Sequence, residues 1–361
     1  MRPVYGLGIF IPVAVVLELA HASPTLIFLA AALGVIPTAA LMGESTEHLA
    51  AKTGPGLGGL LNVTFGNAPE LIIAFFALNE GLQEVVKASI VGSIIGNILL
   101  VLGAAMLVGG LRREKQTFNR TAATAQAGML LLALTALILP AVFQLVHGGG
   151  LPGVSEERVD FGTDLEHLSL GVAIVLMVSY VAGLFFSQKT HRAVFNPYDE
   201  AEHHEEGEGW SMKRSLISLA VAAVLVGLMS EVLVGSISEA SHDIGLSEFF
   251  VGVFVVAIVG NAAEHWVAVL VAAKDKMDLA VGIAIGSSAQ IALFVAPLLV
   301  LLSFVVGPNP LALVFNGYEL AGLVFAVLIA NFVTQDGESN WFEGAQLLAL
   351  YAVLGLVFFY A

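Results

Sequence analysis

The chain contains no cysteine and very little charge. Without cysteine there is no disulfide framework, no thiolate metal ligand and no cysteine nucleophile. Charged residues make up 12% of the 361 positions, against about 25% in a soluble domain. With 58% hydrophobic residues and a mean hydropathy of +0.90, that deficit excludes an ordinary globular protein. Basic residues are scarcer still, 14 against 29 acidic ones, and the net charge of −15 argues against a nucleic-acid partner. No His-Glu-x-x-His, nucleophile elbow or pair of catalytic aspartates occurs, which leaves no basis for an intramembrane hydrolase.

What the chain does have is apolar runs of membrane-spanning length along its whole extent. Runs and breakers predict eleven helices, at about 4–20, 24–50, 57–78, 85–110, 121–146, 168–186, 214–238, 246–272, 278–305, 312–333 and 343–361. The first run follows Met1-Arg2-Pro3 without a small-residue cleavage site and is expected to be a retained helix, not a signal peptide. The fold class is therefore an all-α polytopic membrane protein whose partner is the lipid bilayer. With the N-terminus in the cytoplasm, twelve of the fourteen Lys and Arg fall on the cytoplasmic side, leaving only Lys87 and Arg158 opposite. Positive-inside sorting thus predicts N-in, C-out.

Self-similarity organises the chain further. Gly66-Asn67-Ala68-Pro69-Glu70 returns as Gly260-Asn261-Ala262-Ala263-Glu264, an offset of 194. At the same offset Gly92-Ser93 matches Gly286-Ser287, Glu84 matches Asp278, and His48 matches His242. One shared offset across several helices marks an internal repeat. The units are a leading helix at 1–23, a first five-helix repeat at 24–186, an acidic linker at 187–213 and a second five-helix repeat at 214–361. Five is odd, so the copies enter the membrane from opposite sides. Inverted repeats are a transporter architecture with the substrate site near midplane.

The repeated residues suit a divalent cation. An acid inside a span is costly and functional by default. Asn67 with Glu70, and Asn261 with Glu264, stand three residues apart on one helix face. Each helix so offers a carboxylate and an amide carbonyl. Pro69, within a helix, would free the carbonyl of Phe65 as a further oxygen; ordinary helix packing is the plainer alternative for these Gly and Pro residues. Ser93 and Ser287 each follow their Glu by 23 residues, with Asn97 and Gln290 a turn further on. Ca²⁺ takes about 6–8 oxygens, whereas Mg²⁺ keeps its water and transition metals favour His or thiolate. Ca²⁺ is therefore the expected substrate, with Mn²⁺ or another divalent ion as the alternative, and no cofactor is called for. Burial and a neighbouring acid both favour protonated carboxyls. One divalent ion or two protons neutralise the pair, so the two cargoes compete.

Other polar residues carry two readings each. His265 beside Glu264 is a structural hydrogen-bonding partner or a proton handler. Glu231, with Ser230 and Ser236, lines an ion path or makes an interhelical contact. Glu18, Glu44, Glu47, His48 and His242 sit near helix ends, where interfacial solvation accounts for them, and Trp210, Trp266 and Trp341 are expected to anchor or pack. The carboxylates and histidines at 199–208 form a solvated linker or a low-affinity divalent-cation sensor, though without EF-hand spacing.

The stretches 58–72, Gly92-Ser93-Ile94-Ile95-Gly96-Asn97, Gly260 to His265 and Gly286-Ser287-Ser288-Ala289-Gln290-Ile291 resemble the cation/proton exchanger family of the calcium/cation antiporter superfamily. The likeness extends over nearly the whole chain. It implies that Glu70 and Glu264 are shared Ca²⁺/H⁺ carboxylates, surrounded by Asn67, Asn261, Ser93, Ser287 and Gln290, and that the second and seventh helices slide or tilt to alternate access. Pro69 and Gly96 depart from the family, which often has Thr or Ala and Ser there. The long N-terminal extension of plant members is missing, so autoinhibition by one is not expected. The expected function is Ca²⁺/H⁺ antiport in a prokaryotic plasma membrane. Its rivals are a Na⁺/Ca²⁺ exchanger of the same superfamily and a Ca²⁺-selective channel. Self-association into a homo-oligomer stays open.

Overall fold

A computed structural model describes residues 4–154, 163–191 and 209–361. Arg158 and the acidic run at 199–208 lie outside these residues. Among the described residues eleven apolar helices follow one another: α1 Val4–Leu19, α2 Pro24–Gly66, α3 Ala68–Asn79, α4 Gln83–Gly110, α5 Arg120–Val146, α6 Asp164–Thr190, α7 Met212–Ile244, α8 Glu248–Ala273, α9 Met277–Ser303, α10 Gly317–Val333 and α11 Trp341–Phe359. Eight of them hold a stretch long and apolar enough to cross a membrane, the end of α2 with α3 forms a ninth, bent span, and α1 and α10 are shorter apolar helices. The only strands among the described residues are the two-residue pair Gln116–Thr117 and Glu338–Ser339.

Two boundaries differ from the sequence expectation. Helical backbone continues through 51–56, where a loop between the second and third helices was expected. It is not one straight rod. A Cβ on Gly58 would strike the carbonyl of Ala50, eight residues back and about 12 Å away in a straight helix. The chain doubles back there, so two spans share one stretch of helical hydrogen bonding. The tenth helix starts at Gly317, not near 312, because residues 311–316 run through the interior without helical structure. Leu311 to Phe315 are all buried. Irregular backbone at such depth needs internal partners. They come from side chains: Gln83 donates to the Asn309 carbonyl, Lys87 to that of Val314, and the amides of Leu311 and Leu313 donate to Ser303 and Ser169.

The two ends of the bundle are chemically different. At one end Arg113 reaches Asp275 and the Ala273 carbonyl, Lys115 pairs with Glu338, and Asp278 accepts from the Asn119 amide. The opposite end holds the Gln83 and Lys87 contacts described above and a hydrogen bond from Thr25 to Asp243.

Two of the helices change shape at similar places. α4 carries a π-helical turn at Gly96–Val101, and α9 carries one at Ile291–Val295. These wide turns lie one after the other at almost the sequence offset, just past Ser93 and Ser287. α4 crosses α8 closely: a Cβ at Gly92 would overlap the Val253 carbonyl, and one at Gly252 would lie 2.8 Å from the Ala88 Cβ. Glycine is required here because backbone meets backbone.

Candidate functional site

Glu70 is not in the interior of a continuous helix. α2 ends at Gly66, Asn67 stands between helices, and α3 starts at Ala68 after a 45° bend. Pro69 falls in the first turn of α3, where a missing N–H costs nothing. The expectation that it frees the Phe65 carbonyl inside a helix is corrected: the break lies at Asn67, whose own amide is directed at that carbonyl. Glu70 thereby gains the helix N-terminus, a favourable place for negative charge. Glu264 differs, lying within the unbroken α-helical stretch Ala257–Ala273 of α8.

The two motifs meet face to face. A Cβ added to Gly260 would lie 3.3 Å from Cγ of Glu70, and one added to Gly66 would lie 3.7 Å from Oε1 of Glu264. Each glutamate therefore rests on the leading glycine of the other copy. The smallness of both glycines is what lets the acids approach the opposite helix.

Neutral oxygens surround this crossing. Asn67 Nδ2 donates to Gln290 Oε1 at 2.5 Å, Asn261 Nδ2 to Ser93 Oγ at 3.0 Å, and Ser287 Oγ to Glu264 Oε2 at 2.5 Å. These bonds orient the amides, since each spends its NH₂ on a neighbour and keeps its carbonyl oxygen. The carbonyl oxygens of Asn67 and Asn261 and Oε2 of Glu70 are buried with no partner among the described residues. Buried acceptors without donors are rare. Here they are oxygen atoms only, the donor set of a hard cation such as Ca²⁺. Among the described residues no group of three or more His, Asp or Glu gathers in the manner of a carboxylate-rich metal cage.

Not every candidate faces the crossing. His265 Nε2 lies 3.2 Å from Asn97 Oδ1, so these two pair with each other. Glu231 lies on the exposed face of α7, and Ser236 bonds back to the Val232 carbonyl of its own helix. His48 stacks on Trp210 at 4.9 Å, and Arg214 lies over the same ring. Glu44 and Glu47 were assigned to interfacial solvation, and the structure gives them a different place. They line a cavity of about 430 Å³ that also includes Asn62, Glu264, Asp278 and Ser287. Their spacing from Glu70 held no signal; only the folding back of α2 brings them over Glu264. On the other side of the crossing Glu70 borders a pocket of about 10 Å³, with Ser89, Ser93 and apolar neighbours. That is room for roughly one water. Glu264 has an acidic vestibule, whereas Glu70 borders this small pocket.

Known proteins resemble this chain over nearly its full length. The family profile described as "Sodium/calcium exchanger protein" matches residues 23–189 and 214–360. A Ca²⁺/H⁺ antiporter of Aphanothece halophytica is 45% identical over 99% of this chain and 96% of its own length. The Ca²⁺/H⁺ antiporter ChaA of Bacillus subtilis is 44% identical over 97% and 96%. The chain belongs to the Ca²⁺/H⁺ antiporter family, within the sodium/calcium exchanger superfamily. The crystal structure of the Ca²⁺/H⁺ antiporter protein YfkE superimposes with a TM-score of 0.83 at 40% identity, covering all of both chains. Membership makes the protein an integral membrane transporter and not an enzyme, and it accounts for the eleven apolar helices.

Proposed function

We propose that this chain exchanges Ca²⁺ for H⁺ by alternating access, with Glu70 and Glu264 as the carboxylates that hold either cargo. The reciprocal seating of each glutamate on the other copy's glycine carries this reading. It gives two negative charges at one crossing, where one Ca²⁺ or two protons restore neutrality. An empty, doubly charged pair is costly to carry through a low-dielectric layer, and this suppresses leak. Asn67 and Asn261 supply neutral carbonyls. Ser93 and Ser287 hold an amide and a carboxylate in place, and Gln290 orients Asn67. Asn97 and His265 act as a pair beside the site, with His265 able to pass a proton to the ring's other side.

The basic end of the bundle is cytoplasmic in this reading, with the N-terminus inside and the C-terminus outside. The vestibule over Glu264 then belongs to an inward-facing state, and Ca²⁺ leaves the cell as protons enter. Bacterial relatives of the same length favour a prokaryotic plasma membrane. The units are a leading helix and two inverted five-helix repeats, which meet at Glu70 and Glu264.

Proteoliposomes separate this from sodium coupling. With purified protein, an imposed pH gradient is expected to drive ⁴⁵Ca²⁺ uptake, and a Na⁺ gradient at equal pH is expected to drive none. Uptake with Na⁺ alone would replace the proton by Na⁺ as counter-ion. Ca²⁺ currents without proton movement would make the protein a channel.

A further inference from the structure

A second chamber adjoins the site. It has a volume of about 130 Å³ and lies between α5, α6 and α9. Gln126 and Gln290 border both it and the vestibule, so the two amides form the partition. From Gln290 the chamber passes Tyr180 and reaches Ser187 and Gln188, near the end of α6 that carries Lys189.

Three features define what this space can hold. Among its described lining residues there is no carboxylate, whereas the vestibule has Glu44, Glu47, Glu264 and Asp278. A divalent cation there would meet neutral oxygens but no negative charge to offset its own. The lining is mixed: apolar side chains make up most of it, and amides from Gln126, Gln188 and Gln290 and a hydroxyl from Ser187 give it a polar stripe. Finally, Tyr180 is 7% exposed, and its hydroxyl is buried with no hydrogen-bond partner among the described residues. Its ring is fixed by stacking on Phe294 at 5.3 Å. A buried hydroxyl on a residue that lines a chamber of this size, beside other polar groups, is a place for water.

We propose that this chamber is a hydrated proton lane, separate from the acidic vestibule that admits Ca²⁺. The proposal rests on the exchange reading above. When Ca²⁺ approaches through the vestibule, a protonated Glu264 must lose its proton. The carboxyl O–H bond breaks, a water beside Gln290 takes the proton as hydronium, and hydrogen-bonded waters pass it along Tyr180 toward Ser187. The carboxylate keeps the electron pair and is left free to ligate Ca²⁺. Two lanes remove a conflict, because a hydronium leaving through the vestibule would run against the incoming divalent ion. Tyr180 touches neither cargo at the exchange site and acts as a positioning residue for the waters.

Two variants and two transport modes test the lane. Gly183→Leu fills the chamber, since Gly183 lines it and the nearest atom to an added Cβ is the flexible Met129 sulfur. Tyr180→Phe removes the hydroxyl and keeps the stacking ring. Each is compared with the wild type in ΔpH-driven ⁴⁵Ca²⁺ uptake and in ⁴⁵Ca²⁺/Ca²⁺ exchange at equal pH, which moves no net proton. The expected result is a loss of about tenfold in the proton-coupled mode for Gly183→Leu, and about threefold for Tyr180→Phe, with Ca²⁺/Ca²⁺ exchange within about twofold. Equal losses in both modes would show a packing role and overturn the lane, as would full proton-coupled activity in Gly183→Leu. A wild type that ignores the pH gradient would instead overturn the exchange reading itself.

Discussion

At the scale of residues, the account rests on two acids and the atoms that touch them. Glu70→Gln and Glu264→Gln each remove one of two charges that a divalent ion must neutralise. Each is expected to lower exchange by about a hundredfold or more, while the protein still inserts and elutes as the wild type does on gel filtration; near-normal flux from either would remove it from the site. The glycines beneath them make a finer prediction. Gly260→Ala places a methyl 3.3 Å from Glu70, closer than most side chains tolerate, whereas the methyl of Gly66→Ala sits at 3.7 Å, an ordinary contact. Alanine at 260 should therefore raise the KM for Ca²⁺ several-fold more than alanine at 66, and the reverse order would contradict the crossing as described. Ser287→Ala removes the hydroxyl that holds Glu264. A hydrogen bond to a charged group contributes about 1.5–3 kcal/mol, so Ca²⁺ affinity should fall by about tenfold or more, read directly by calorimetry.

At the scale of elements, the sequence foretold more about chemistry than about shape. The repeated Gly-Asn-Ala-x-Glu pattern named both acids, because a charge in an apolar run stands out without any structure. The break at Asn67 was less legible. The second copy has the same Asn within an unbroken helix, so Asn alone signals nothing, and Pro69 fits a kink and a helix start equally well. Leu311 to Phe315 read as helix because an apolar run has no period of its own, and only the side chains of Ser169, Ser303 and Lys87 make a non-helical path affordable there. Glu44 and Glu47 looked interfacial because a helix end and a water-filled vestibule give the same polarity pattern. Tyr180 gave no signal, since a tyrosine in a span is ordinarily packing. The closest element contact supplies a stability test. Gly92→Ala would force α4 off the Val253 carbonyl, and overpacking of this kind costs about 1–3 kcal/mol. A thermal-shift measurement in detergent should show a lower Tm, and an unchanged Tm would mean the helices do not cross that closely.

At the scale of the whole molecule, orientation and cargo competition can both be measured. The absence of cysteine makes the chain its own background for single-cysteine labelling. Glu114 and Glu80 are exposed at opposite ends of the bundle. In inside-out vesicles an impermeant maleimide should reach Glu114→Cys and spare Glu80→Cys, and the opposite pattern would invert the topology. Competition for the same two carboxylates fixes the sign of the pH response. Acid on the Ca²⁺-binding side adds protons to the pair, so the apparent KM for Ca²⁺ rises as pH falls there. The maximal rate at saturating Ca²⁺ should move less.

The central claim is that Glu70 and Glu264 form one site that protons and Ca²⁺ occupy in turn, and ⁴⁵Ca²⁺ flux in proteoliposomes under separately imposed pH and Na⁺ gradients tests it most directly. The account predicts uptake that follows the pH gradient, is indifferent to Na⁺ and disappears in both Glu→Gln variants. Uptake that follows Na⁺, or that survives loss of either glutamate, would contradict it.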